Sequence, residues 1–215
     1  MPATASIIGG VVIETGTQAD ALRALSDGEV VAIPTDTVYG LAARLDRPRA
    51  IESIFAIKMR PHDQSLPVLI GRIKQLDSVV AEWPRAARQL ANRFWPGAIT
   101  LVVPARPDVG ELVGGSGETI GVRLPRNRIA RSLIKKAGPL VVTSANLHGQ
   151  PESTTSLDVA DSFVGGQDDR SSPVLVLDGG TCASAPSTVV DCTVSPPMCI
   201  REGGVPWSWV EAALR

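Results

Sequence analysis

Two cations, Lys58 and Arg60, stand in Lys58-Met59-Arg60-Pro61, downstream of a polar, turn-forming run, Pro34-Thr35-Asp36-Thr37-Val38-Tyr39-Gly40. A third, Arg123, sits inside the apolar stretch Ile120-Gly121-Val122-Arg123-Leu124, and Thr143-Ser144-Ala145-Asn146 closes another. Such groups suit the binding of a small anion. Lys, Arg and backbone N–H donors stabilise phosphate or carboxylate charge. Hydroxyls and a carboxamide hold a phosphate or a base edge without adding charge, and Ala145 leaves room for close approach. The run at 34–40 follows the strand-like Glu29–Ile33, which puts its hydroxyls and N–H groups at a strand end, where open α/β folds bind ligands.

Each group also has a plainer reading. Lys58 and Arg60 fall at the end of an expected helix, where cations are favourable in their own right. Two apart, they point the same way on an extended chain and diverge on a helix, and Pro61 biases Arg60 toward the extended form. Arg123 is either at a sheet edge facing solvent or partnered by an anion, because an unpaired buried charge is costly. The hydroxyls of Thr143 to Asn146 can equally cap their own loop.

The elements that must position these groups alternate along the chain. Thr17-Gln18-Ala19-Asp20 reads as a capping-box variant for a helix through Ser26, stopped by Gly28 and followed by a strand over 29–33. Asp46 is placed to cap a helix from Pro48 to Ile57, Pro67 to Ile70 reads as a strand, and Pro84 opens a helix to Phe94. Strands are expected at Ile99–Val103, Thr119–Leu124 and Leu140–Thr143, with Asn127 capping a helix to Lys136. Ser156–Phe163 reads as a short helix. Pro173–Leu177, Ser187–Cys192 and Met198–Arg201 read as strands, and Pro206–Leu214 as a closing helix. Ala105–Ser116 and Gly165–Ser172 are rich in loop formers and read as exposed loops. Residues 1–215 are therefore expected to form one α/β domain with a twisted, mixed open sheet flanked by helices.

Composition bounds the function classes. The 215 residues are 44% hydrophobic and 20% charged, enough for a sizeable core. Lys and Arg number 21 against 22 Asp and Glu, a net charge of −1, so no overall basic field for nucleic acid exists and any phosphate site is local. Cysteines at 182, 192 and 199 form no Cys-x-x-Cys pair, and the histidines are His62 and His148, so neither a disulfide framework nor a zinc site is indicated. Ile7–Ile13 is short, broken by Gly9-Gly10 and without preceding Lys or Arg, which fits neither a signal peptide nor a membrane span; the cytoplasm is the expected location. No Gly-x-x-x-x-Gly-Lys-Ser/Thr and no Gly-x-Gly-x-x-Gly occurs. Gly114-Gly115-Ser116-Gly117 reads as a plain loop, with a mobile lid as the lesser reading. Trp83, Trp95, Trp207 and Trp209 fall at expected helix ends, a pattern of core or rim packing rather than of an RNA-stacking platform.

Six motifs occur in one order: Pro34–Gly40, Lys58-x-Arg60-Pro61, Val122-Arg123-Leu124-Pro125, Thr143-Ser144-Ala145-Asn146-Leu147, Ser187-Thr188-Val189-Val190-Asp191 and Ile200-Arg201. In this the chain resembles the threonylcarbamoyl-AMP synthase (YrdC-like) family over residues 10–205. The resemblance implies a YrdC-like fold and an adenylyl transfer. L-threonine and bicarbonate form an N-carboxylated threonine whose carboxylate attacks the α-phosphorus of ATP, giving threonylcarbamoyl-AMP and pyrophosphate for tRNA threonylcarbamoyladenosine modification. It implies Lys58 and Arg60 as catalytic cations. Thr35, Arg123, Thr143 and Ser187 would hold threonine, with Arg123 at its carboxylate. Arg60, Thr119, Ser144, Asn146, Ser153 and Arg201 would hold the nucleotide, with Mg2+ bridging phosphate oxygens and no metal ligand set in the protein. A separate tRNA threonylcarbamoyl transferase would receive the product. Such chemistry needs cations, alignment and solvent exclusion rather than a protein nucleophile.

The chain departs from the family pattern in three places. Arg201 is followed by Glu202-Gly203-Gly204 rather than Pro-Gly, Ser65 stands where a Pro is common, and Val68-Leu69-Ile70 stands where some relatives carry a His. The alternative class is an RNA-binding module of the same fold that recognises tRNA or double-stranded RNA without adenylate synthesis, which the near-neutral charge disfavours as the main function; weak RNA binding beside the synthase activity is the lesser expectation. A carbamoyl-adenylate synthase of the hydrogenase-maturation type is disfavoured because the zinc-finger and acylphosphatase regions of those proteins have no counterpart here. Nor does the C-terminal domain that some relatives append.

Overall fold

Alternation along the strands sends successive side chains into two different cores, one on each face of a single sheet. The computed structural model describes residues 4–8, 11–147, 149–163, 175–182 and 185–215. Their strands are β1 (Thr4–Ile8), β2 (Val11–Gly16), β3 (Val31–Ile33), β4 (Gly40–Arg44), β5 (Val68–Leu69), β6 (Ile99–Pro104), β7 (Thr119–Arg123), β8 (Leu140–Ser144), β9 (Leu175–Leu177), β10 (Thr188–Asp191) and β11 (Met198–Arg201). The helices are α1 (Gln18–Asp27), α2 (Pro48–Lys58), α3 (Arg85–Phe94), α4 (Pro107–Val113), α5 (Arg128–Ala137), α6 (Ser156–Phe163) and α7 (Trp207–Leu214). The sheet order is β1-β2-β9-β3-β4-β8-β5-β7-β6-β10-β11. β9 runs parallel to β2 and β3, β5 to β7, and β6 to β10, while the remaining neighbours are antiparallel. This is a mixed, open α/β sheet.

On one face Leu41, Ala43, Val68, Leu101 and Val141 pack with Ile51, Ile54 and Phe55 of α2, Leu90 of α3 and Val210 of α7. On the other, Val31, Ile33, Ala42, Leu69 and Val142 pack with Ala21 and Leu25 of α1 and Leu133 and Ile134 of α5. A one-residue slip would exchange the two sets, so the register is strongly specified. Each fully buried Leu or Ile contributes about 1.5–3 kcal/mol relative to exposure, which makes the two cores the main restraint on helix placement.

Local signals set the helix ends. Thr17 accepts from Asp20 N while Asp20 accepts from Thr17 N at 2.8 Å, and Gly28 ends α1 at φ 86. Asn127 caps α5 by accepting from Ile129 N and Ala130 N. Asp46 does not cap α2. Its carboxylate pairs with Arg44 at 2.6 and 2.8 Å, a charge-assisted contact that outcompetes a cap, and Arg47 occupies the N-cap position without a side-chain bond.

A second correction concerns 105–116, expected as an exposed loop. It contains helix α4, opened by Pro107 and burying Val109, Gly110 and Val113. Gly110 is a packing residue here rather than a breaker, since a Cβ at this position would stand 1.8 Å from the Gly117 carbonyl oxygen. Strands β1, β2 and β4 were not expected, and Gly165–Ser172 lies outside the described residues. Trp83 and Trp95 stack at 5.7 Å against the first core, joined there by the partly buried Trp207, whereas Trp209 is exposed.

Candidate active site

A cleft of about 480 Å3 lies along the strands β6, β7 and β10. Period-two alternation builds its wall. Thr100 and Val102 of β6, Thr119, Gly121 and Arg123 of β7, and Val189 of β10 line it, while the intervening Leu101, Val103, Ile120 and Val122 enter the core. Strand β4 meets the wall at Gly40, where a Cβ would stand 2.5 Å from Val142 Cγ1 and 3.0 Å from the Thr143 carbonyl oxygen, so only glycine permits this approach.

The turn at 34–40 is braced from within. Thr35 Oγ1 donates to Val38 O at 2.7 Å and accepts from Thr37 N at 3.0 Å and Val38 N at 3.2 Å. Thr35 lines the cleft, yet its hydroxyl is engaged in shaping its own turn. Tyr39 is fully buried, donates its phenol proton to Gly180 O at 2.9 Å and accepts from Gly179 N, which ties the 178–180 segment to this turn.

Arg123 is 5% exposed, and its partner is an acid on that turn. Nη2 donates to Asp36 Oδ1 at 2.7 Å, Nη1 to Thr37 Oγ1 at 2.9 Å and Nε to Gly97 O at 3.0 Å. Burial pulls its pKa below the ordinary arginine value, and Asp36 pushes it back up. Neither Asp36 nor Thr37 was singled out from the sequence, although both sit in the run that drew attention to the site.

Lys58 ends α2, and Met59 follows at φ 46 in the left-handed region, so the two cations do not share one extended segment. Lys58 Nζ donates to Asn146 O, to Asn146 Oδ1 at 2.8 Å and to Ser144 Oγ at 3.4 Å. Three acceptors use its three protons. Burial lowers its pKa to about 8, with Arg60 adding to the effect and Glu152 opposing it. Arg60 lines the cleft and donates to Gln64 O and Ser65 O, and burial also lowers its pKa. The Gly114–Gly117 turn braces this loop. Gly115 N donates to His62 O at 2.7 Å, Leu66 N to Val113 O at 2.8 Å, and Phe55 stacks on His62 at 4.2 Å.

Of the remaining residues singled out from sequence, Thr119, Thr143, Ser144, Ser187 and Arg201 line the same cleft. Arg201 donates from Nε and Nη2 to Ser187 O, and Ser187 Oγ shares a 2.8 Å hydrogen bond with Thr100. Lys58, Asn146 and Ser153 are buried and back the wall rather than form it. Ser153 Oγ donates to Ala145 O, and Tyr39 N donates to Ser153 O, so Ser153 joins the two loops. Thr100 and Glu152 were missed and also line the cleft, as does Ser65, which the sequence marked only as a departure from the family pattern. The period-two signal of Ile99–Val103 already put Thr100 opposite the core residues.

A family model for the Sua5, YciO and YrdC proteins, described as "Telomere recombination", matches residues 23–203. The chain belongs to this family. A Pyrococcus abyssi protein named threonylcarbamoyl-AMP synthase is 38% identical over 88% of this chain and 55% of its own length. The structure of P. abyssi Sua5 complexed with L-threonine superposes with a TM-score of 0.81 at 36% identity, over 94% of this chain and 59% of that one. Escherichia coli YciO superposes with a TM-score of 0.75 at 25% identity, over 90% of this chain and 94% of that one. This Sua5/YrdC family member spans little more than half the length of the curated Pyrococcus abyssi and Bacillus subtilis relatives. Among its described residues no helix is long and apolar enough to cross a membrane.

Proposed function

We propose that the protein is an L-threonylcarbamoyladenylate synthase, a nucleotidyltransferase making threonylcarbamoyl-AMP and pyrophosphate from L-threonine, bicarbonate and ATP. One observation carries the reading: Arg60, Arg123 and Arg201 converge with Thr119, Thr143, Ser144 and Ser187 on one cleft, in a chain whose relatives bear the synthase name and include a threonine complex. The amine of threonine forms a C–N bond to the bicarbonate carbon with loss of water. A carbamate oxygen then forms a bond to the α-phosphorus as the bond to pyrophosphate breaks.

Arg60 and Arg201 would offset the charge of the phosphates, with Thr119, Ser144, Asn146 and Ser153 shaping the AMP subsite. Arg123, Thr143 and Ser187 would take the amino acid, and Thr35 would set the shape of the turn beside it. Lys58 would act through Ser144, whose hydroxyl accepts from the ammonium and so turns its own proton toward the cleft. Among the described residues the wall offers one carboxylate, Glu152, beside three arginines, so Mg2+ would enter with the nucleotide and find at most that one protein ligand. Magnesium there would neutralise phosphate charge. We place the reaction in the cytoplasm, upstream of a tRNA threonylcarbamoyl transferase.

The test is mass detection of threonylcarbamoyl-AMP after incubating the purified protein with ATP, Mg2+, L-threonine and bicarbonate. Its formation supports the reading. Its absence, from folded protein, overturns it.

A further inference from the structure

We infer that Asp36 is a positioning residue that divides the cleft by charge, holding Arg123 for a substrate carboxylate and leaving the phosphates to Arg60 and Arg201. The inference rests on the synthase reading above and goes beyond it, because Asp36 needs no contact with any substrate.

The hydrogen bonds carry the first half. A guanidinium has five N–H groups. Arg123 spends three, on Asp36, Thr37 and Gly97, which leaves one on each terminal nitrogen of a side chain that lines the cleft. Asp36 Oδ1 also accepts from Arg126 N at 2.9 Å, so the carboxylate is itself fixed between the 34–40 turn and the segment after β7. A guanidinium held in this way keeps one unspent N–H on each terminal nitrogen at a fixed position, so a substrate carboxylate meets a donor set ordered before it arrives.

Charge carries the second half. The Arg123–Asp36 pair, at 2.7 Å and largely buried, is formally neutral. Among the described residues neither Arg60 nor Arg201 forms an ion pair with a carboxylate, so their charge is available to a ligand. A triphosphate therefore gains most from the uncompensated charges of Arg60 and Arg201, and a small monoanion needing direction rather than charge gains from Arg123. Removing the Asp36 charge would leave Arg123 as a buried, unpaired cation that also attracts phosphate.

The experiment compares wild type, Asp36→Asn and Asp36→Ala by calorimetric titration with L-threonine, with and without pyrophosphate, alongside KM values for threonine and ATP. Asn keeps the shape and the acceptor oxygen but not the charge. The expected result is threonine affinity weakened about tenfold in Asp36→Asn and more in Asp36→Ala. The KM for ATP should stay within about twofold, and pyrophosphate should compete with threonine more strongly in Asp36→Asn than in wild type. A merely structural role would weaken both substrates together, and that result, or unchanged threonine binding in folded Asp36→Asn, overturns the inference. Wild type that binds no threonine would instead overturn the synthase reading on which it rests.

Discussion

Lys58 Nζ donates to Asn146 Oδ1 at 2.8 Å, joining the C-terminus of α2 to the loop after β8 across the whole separation between two of the motifs. The ammonium is buried, and it completes its shell on Asn146 O and Ser144 Oγ. A cation held by three neutral acceptors keeps its charge for an anion beyond Ser144, but it is also easier to deprotonate than a solvated lysine.

The pH dependence follows from that balance. With the Lys58 pKa lowered to about 8, kcat/KM is expected to fall as pH rises through about 8. Lys58→Arg should be slower but lack this alkaline limb. The linkage sign is opposite for stability: from about pH 8 up to the ordinary lysine value the unfolded chain binds more protons, so the Lys58 contribution to folding improves as pH rises through that window. Rate and thermal-melting profiles over this range check both signs.

Asn146→Ala removes the side-chain acceptor from Lys58 and the donor to Gln150 O. Leaving a buried ammonium short of a partner costs about 1–3 kcal/mol, so turnover is expected to fall about 10- to 100-fold. Asn146→Asp supplies a carboxylate beside Lys58 instead, and its alkaline limb should move to higher pH. Steady-state rates of both variants at several pH values test this.

Arg60→Ala is expected to lower turnover at least about 100-fold, the loss typical of a transition-state donor. The side chain lines the cleft, and its backbone-directed bonds to Gln64 and Ser65 leave other N–H groups for phosphate. Near-normal turnover of the folded variant would remove Arg60 from the mechanism.

Gly114 adopts φ 76, and a Cβ there would stand 2.7 Å from His62 O and 2.9 Å from Phe55 Cζ. Gly114→Ala is therefore expected to cost about 1–3 kcal/mol of stability and to raise the KM for ATP by disturbing the Arg60 loop. A lid would behave otherwise, with turnover altered and the melting temperature unchanged. Thermal melts beside KM measurements separate the two.

Much of the fold was legible because its signals are local. Thr17, Asp20, Gly28 and Asn127 mark helix ends by side-chain chemistry that needs no tertiary context. Strand β4 was hidden because Gly40-Leu41-Ala42-Ala43-Arg44 carries no β-branched residue, and its strand state comes from pairing with β3 and β8. Helix α4 was hidden by Gly110, whose absent side chain serves a contact with Gly117 that only the folded chain contains. In the site the motifs located the cations and hydroxyls. They could not show that Asp36 is Arg123's partner or that Lys58 faces Asn146, since both are long-range pairings.

The most direct measurement is pyrophosphate release from ATP by the purified protein with L-threonine and bicarbonate each present or omitted. The account predicts release that requires both and falls at least about 100-fold in Arg60→Ala. Release indifferent to threonine or to bicarbonate, or none from folded wild type, would contradict it.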